Sequence, residues 1–190
     1  MAVPSHSIFS SRDELRQAMR ARRKAFVETL SVDERDAQER ALHGHLAPLL
    51  AEARVVALYV PVGSEIAPPN AAAIFHRSVH PCFGAGERFT FRSGRCEVAG
   101  PHGIMEPDPT AEALIPDLIL VPLIAVDPSG TRIGQGGGHY DRALADPALA
   151  GARRIGLGWA MQRIAEAIDR EEWDVPLHGF ASPEGVEYFK

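Results

Sequence analysis

Cysteine is scarce in this 190-residue chain: Cys82 and Cys96 stand alone, too few to staple a secreted fold and without the Cys-x-x-Cys spacing of a zinc or redox site. They read as reduced thiols. Basic excess is missing too. Lys+Arg number 20 against Asp+Glu 25, a net charge of −5, so nothing global draws the chain to nucleic acid or to an anionic membrane. Long apolar runs are absent as well: the longest, 115–126, is broken by Pro116, Asp117 and Pro122 and falls short of the roughly 20 residues that span a bilayer. No basic flank and apolar core open the chain, so no signal peptide is expected, and the protein is placed in the cytoplasm. The eight histidines make no metal set, since His43 and His45 fall on different faces of a predicted helix. No Gly-x-Ser-x-Gly elbow supports acyl transfer.

What remains is an ordinary globular composition, 45% hydrophobic and 24% charged, long enough to bury about 70% of its unfolded surface around one core. Residues 1–11 read as a flexible tail and 12–190 as a single domain with no internal repeat or long linker. Ser11 with Glu14 and Ser31 with Glu34 are capping-box signals, predicting helices over 12–30 and 31–52, the second carrying Pro48. The β-branched run 54–60 and the run 117–126 read as buried strands, followed by strands at 153–158 and 179–181. Helices are expected at 68–77, 140–145 and 161–168, and a short hairpin or edge pair turned at Ser93-Gly94. Strands alternating with helices predict an α/β fold: a three-layer αβα, Rossmann-like, mostly parallel sheet with helices on both faces.

The densest chemical signal is Arg132-Ile133-Gly134-Gln135-Gly136-Gly137-Gly138-His139-Tyr140-Asp141-Arg142, between a strand and a helix. Four glycines in five positions free the backbone to present consecutive N–H groups, and a helix start behind them adds its dipole, which suits a phosphate better than an ordinary tight turn. It is neither a Walker A loop nor a dinucleotide fingerprint, because no Gly-Lys-Ser/Thr follows and His139 takes the last glycine's place. Asp141 suits either Mg²⁺ or the helix dipole. Arg12, Arg16, Arg20 and Arg23 share one face of the first helix, where a solvated surface is the more usual explanation than anion binding. Glu65 follows the first strand, where a carboxylate can accept hydrogen bonds from a donor-rich heterocycle, though most loop glutamates only face water.

Taken in order, Arg-x-x-Leu-Arg at 12–16, the Glu65 loop, Gly103-Ile104-Met105-Glu106-Pro107, the strand from Asp117 through Pro122 and Asp127 into Arg132–Arg142, Asp174-Val175-Pro176-Leu177 and Ser182-Pro183-Glu184-Gly185-Val186 resemble the 5-formyltetrahydrofolate cyclo-ligase (methenyltetrahydrofolate synthetase) family over residues 12–187. The resemblance implies a ligase that closes 5-formyltetrahydrofolate to 5,10-methenyltetrahydrofolate with ATP and Mg²⁺. The formyl oxygen attacks the γ-phosphoryl group, folate nitrogen 10 attacks the activated carbon, and phosphate leaves. Such chemistry needs positioning and charge neutralisation more than a protein nucleophile.

The same resemblance implies ATP contacts from Arg12, Arg16, Arg132, Ile133, Gly134, Gln135, Gly136, Gly137, Gly138, His139 and Tyr140. It implies folate contacts from Val60, Glu65, His102, Gln135, Gly136, Gly137, Gly138 and His139, with Mg²⁺ on Asp141 and Asp174 and catalytic roles for Tyr140 and Arg132. The partners implied are small molecules, with the protein a monomer or weak dimer. Arg12 stands where lysine is usual, His139 and His102 where aromatics are, and His178 where an acid is common. Pocket histidines predict a folate KM that varies with pH near neutrality. The rivals are a relative with another substrate, a non-catalytic nucleotide or folate binder, and a sugar-phosphate isomerase that would ignore Asp141→Ala.

Overall fold

The computed structural model describes residues 9, 11–69, 74–84, 88–100 and 103–190. α1 (Arg12–Thr29) opens on Ser11, whose hydroxyl accepts from the Glu14 backbone N–H. α2 (Val32–Glu52) opens on a complete capping box, with Ser31 and Glu34 satisfying each other's backbone donors, and runs through Pro48. Of the expected tail, Ser11 is this cap and Phe9 packs against the α1 core residues, while 1–8 and 10 lie outside the described residues.

Five strands form the parallel body: β1 (Val56–Ala57), β2 (Ser78–Cys82), β6 (Leu118–Pro122), β9 (Arg153–Leu157) and β10 (Gly179–Ser182). Antiparallel strands close both edges, β3 (Thr90–Ser93) on β2 and β11 (Gly185–Tyr188) on β10. The order is β11-β10-β9-β6-β1-β2-β3. Two short ribbons lie apart, β4 (Val98–Ala99) with β5 (Met105–Glu106), and β7 (Ala125–Val126) with β8 (Arg132–Ile133).

Alternation along buried strands sends successive side chains to opposite faces. Val56, Leu58, Leu118, Leu120, Ile155 and Leu157 pack on Leu42, Leu46 and Leu49 of α2, spaced i, i+4, i+7. Ala57, Val79, Ile119 and Val121 pack on the other side with Ala143 and Leu144 of α3 (His139–Leu144). The α/β sheet covered on both faces is therefore present, although one cover is a six-residue helix with loops. The chain passes from β1 outward to β2, then returns to β6 on the other side of β1. Ligands bind at such a reversal, at the carboxyl ends of the strands.

Three local expectations are corrected. Residues 161–168 hold only a 3₁₀ turn at Ala160–Gln162, because the Ile164 N–H bonds Val126 and the Ile168 N–H bonds the Asp127 carboxylate instead of a helical turn. Ser93-Gly94 is no hairpin: β3 pairs with β2, while β4 pairs with β5. The run 117–126 is two strands, since β7 leaves the main sheet to pair with β8. Of the helix expected at 68–77, 70–73 lie outside the described residues, and Phe75–Arg77 is a 3₁₀ turn.

Candidate active site

Asp127 builds the support of the glycine loop. Its Oδ1 accepts from the Ser129 N–H and hydroxyl and from the Thr131 N–H, which turns β7 back into β8. β8 then delivers Arg132 into the wall of a cleft of about 840 Å³, and residues 134–138 form its rim before α3 begins. Gly136 and Gly138 take φ of 103° and 64°, the left-handed region where a side chain is strained. With only six residues in α3, the loop's amides and nearby cations matter more than a helix dipole.

Those cations come from α1. Of the arginine face read from sequence as solvated, Arg16 and the exposed Arg20 meet the loop, while Arg12 and Arg23 are held by partners elsewhere. Arg16 Nε donates to Gly134 O at 2.9 Å, and Arg16 pairs with Asp13. Arg20 donates to Gln135 Oε1 at 2.8 Å. Arg12 holds Asp174 through both terminal nitrogens at 2.5 and 3.1 Å and donates to Asp169 O. Arg132 donates to Asp141 Oδ1 at 2.7 Å and to Val175 O at 2.6 Å, while the Val175 N–H reaches the same Asp141 oxygen at 3.3 Å. Asp141 is thereby fastened one peptide unit from Asp174, although 33 positions separate them in sequence. Each carboxylate already faces a guanidinium, and both line the cleft.

Glu65 is nearly buried, 6% exposed, and lines the cleft beside Val60 and Val62. Its Oε2 accepts from the Val62 N–H, its Oε1 accepts from Gln135 Nε2 at 2.8 Å, and Arg23 lies 3.8 Å away. Burial lowers the Arg23 pKa, and the Glu65 charge opposes that shift.

Beyond Glu65 the wall turns aromatic. Phe89 packs edge-on against Phe83, Phe91 and Tyr140, and Phe83 against His139. His139 Nδ1 accepts from Arg142 at 2.9 Å, since a guanidinium can only donate. The Tyr140 hydroxyl is buried with no hydrogen-bond partner among the described residues. Burial first, and the Glu65 charge second, push its pKa well above the ordinary range against a smaller pull from Arg132, so it remains a neutral donor. Neither thiol is an activated nucleophile: burial raises both, Cys96 to about 11.

One cleft thus gathers Arg12, Arg16, Val60, Glu65, Arg132, Gly134 through Tyr140, Asp141 and Asp174. Ile133 does not join them by its side chain, which is fully buried beside Leu15, Met19 and Ile124. His102 lies outside the described residues. His178 lies against Arg154, which meets both ring nitrogens. Sequence reasoning missed Tyr59, His80, Phe83 and Trp173 in the lining. A histidine in the middle of the short strand Ser78–Cys82, and a tryptophan directly before Asp174, were the available signals.

The family model of the 5-formyltetrahydrofolate cyclo-ligase family matches residues 91–182. A 5-formyltetrahydrofolate cyclo-ligase of Mycolicibacterium smegmatis is 36% identical over 152 residues, 70% of this chain and 75% of that protein. One of Haemophilus influenzae is 38% identical over 79 residues, 40% of this chain and 42% of that protein. A 5,10-methenyltetrahydrofolate synthetase of Aquifex aeolicus superposes with a TM-score of 0.75 at 26% identity, covering 94% of this chain and 93% of that one. The fold is shared with a Mycoplasma pneumoniae synthetase at a TM-score of 0.71 and 20% identity, covering 91% and 99%.

Proposed function

The chain belongs to the 5-formyltetrahydrofolate cyclo-ligase family, an enzyme family, and from that premise we propose that it closes 5-formyltetrahydrofolate to 5,10-methenyltetrahydrofolate using MgATP. The observation that carries this reading is the two-ended cleft: the guanidinium groups of Arg12, Arg16 and Arg132 with loop residues 134–138 at one end, a buried carboxylate with aromatic rings at the other, and the loop's Gln135 donating to that carboxylate. A phosphate-bearing substrate suits the first end and a flat donor-rich heterocycle the second.

Arg12, Arg16, Arg132 and the 134–138 loop hold the ATP phosphates, so that the γ-phosphoryl group meets the formyl oxygen of the folate held by Val60 and Glu65. Tyr140 donates its neutral O–H toward the phosphoryl oxygens, and the guanidinium of Arg132 offsets the charge gathering there. With ADP released by the phosphoryl transfer, nitrogen 10 of the folate adds to the activated carbon and gives up its proton, and the carbon–oxygen bond to the phosphate breaks, so that proton and phosphate leave and the methenyl product remains. Asp141 and Asp174 would hold Mg²⁺, since hard carboxylate oxygens are its preferred protein donors, both line the cleft, and Asp141 accepts from the N–H of the residue that follows Asp174. The chemistry a bound Mg²⁺ supplies there is neutralisation of phosphate charge.

Residues 12–190 work as one catalytic unit on small molecules, as a monomer or weak dimer. Free thiols at Cys82 and Cys96 suit a reducing cytoplasm, and among the described residues no helix is long and apolar enough to cross a membrane.

The test mixes the protein with 5-formyltetrahydrofolate, Mg²⁺ and ATP and follows the near-ultraviolet absorbance of the conjugated product. A rise that requires ATP and disappears in Asp141→Ala supports the proposal. Bound nucleotide with no rise on adding the folate overturns it in favour of another substrate.

A further inference from the structure

The two tryptophans of this chain have opposite surroundings. Trp159 is fully buried, its ring against Phe26 and its Nε1–H donated to Ser64 O. Trp173 is 67% exposed, yet it lines the cleft. Leaving an indole in water forfeits most of what its burial would contribute, and the exposure is not that of a loose loop. Asp174, the next residue, pins the turn from both sides: its N–H bonds Glu171 O at 3.1 Å, its Oδ2 accepts from the Glu171 N–H at 3.0 Å, and Arg12 holds the carboxylate across the cleft. The carbonyl of Asp174 is also taken, by Arg170. The backbone on which Trp173 stands is therefore fixed before any ligand arrives, which reduces the ordering cost of binding.

We infer that Trp173 is the stacking surface for the base of the nucleotide, an affinity contact that rests on the function proposed above. Its place in the cleft decides which ring it meets. The aromatic wall of Phe83, Phe89 and Tyr140 belongs to the end that holds Glu65, and those rings pack on one another. At the end built from Arg12, Asp141 and Asp174, Trp173 is the exposed aromatic side chain among the described residues that line the cleft. A base joined to phosphates held by Arg12 and Arg16 has this indole as its flat apolar neighbour, and stacking on a π face holds a base without reading its edges.

The experiment compares the intact protein with Trp173→Leu and Trp173→Phe, using MgADP, magnesium tripolyphosphate and 5-formyltetrahydrofolate as separate probes in calorimetry and in acrylamide quenching of tryptophan emission. The expected result is a Kd for MgADP raised about 5- to 100-fold in Trp173→Leu and partly restored in Trp173→Phe, with tripolyphosphate binding unchanged. MgADP also shields the quenchable emission of the intact protein, and tripolyphosphate does not. Equal MgADP affinity in all three proteins, with no shielding, overturns the assignment while leaving the proposed function intact. Shielding by the folate but not by MgADP overturns it in favour of the folate's own rings. Failure of the intact protein to bind MgADP at all brings down the proposed function together with this inference.

Discussion

Gln135 and Glu65 are joined by a 2.8 Å hydrogen bond from amide to carboxylate, 70 positions apart in sequence, and the same glutamine accepts from Arg20. The glycine loop and the carboxylate of the opposite end therefore share one network that leaves α1 at Arg20 and returns to it at the buried Arg23. Glu65→Gln tests both of its duties. Losing a charged acceptor for the folate ring is expected to raise folate KM about 10-fold or more while ATP KM holds. Arg23, 4% exposed, loses its only nearby carboxylate among the described residues, so Tm falls by roughly 5 °C. Steady-state kinetics with each substrate varied, beside a thermal melt, would reject this account if the two KM values rose together.

The Arg12–Asp174 pair is two-pronged, and the carboxylate side chain is only 6% exposed. Lysine keeps the charge but offers a single point of contact, so Arg12→Lys is expected to lose about 1 kcal/mol of stability and to retain activity within a few-fold. Arg12→Ala leaves Asp174 short of both bonds and is expected to cost ~2 kcal/mol and to raise ATP KM about 10-fold. Urea unfolding of the two variants side by side checks the order, and an alanine variant as stable as the lysine one contradicts it.

The parallel body was readable because buried strands carry continuous apolar runs rich in Val and Ile, as in Val55-Val56-Ala57-Leu58 and Leu118-Ile119-Leu120-Val121, and because Ser31 with Glu34 marks a helix start chemically. Residues 161–168 were not readable. Ile164 and Ile168 sit four apart as in a helix, but both are buried by tertiary contacts beside Leu15 and Met19, and their N–H groups are claimed by Val126 and Asp127. Periodicity reports burial, and only the partners of the backbone report conformation. The same limit applied to the α1 arginines, whose spacing gives a shared face but not what the face meets. Arg132 and Asp141 were legible as a pair of chemical types near the glycines, whereas the Val175 N–H that ties Asp141 beside Asp174 is a long-range contact with no local trace.

His80 lines the cleft with its Nδ1 buried and unpartnered among the described residues, and burial lowers its pKa to about 4. The unfolded chain keeps the ordinary value near 6.5, so between pH 6.5 and 4 it binds a proton that the native state refuses. Stability from this residue is complete above pH 6.5 and is lost as pH falls through that window, by roughly 3 kcal/mol. His80→Leu removes the group and is expected to flatten this part of the profile relative to the parent. Urea midpoints from pH 4 to 7 decide it, and parallel curves for the two proteins would sink the assignment.

Tyr140 offers the sharpest separation of chemistry from stability, because its hydroxyl is buried and bonded to nothing among the described residues. A buried polar group without a partner costs free energy in the resting protein, so deleting the oxygen should leave stability unchanged or raise it by ~1 kcal/mol, about 3 °C in Tm. The ring itself stays against Phe89, so Tyr140→Phe keeps the packing. If the hydroxyl is held in reserve for the phosphoryl oxygens, the same change removes a donor used only in the transition state, and kcat should fall about 100-fold with both KM values little altered. A structural tyrosine predicts the reverse pattern, a lower Tm with kcat intact. An increase or no change in Tm together with the loss in kcat is the combination that a catalytic donor alone produces.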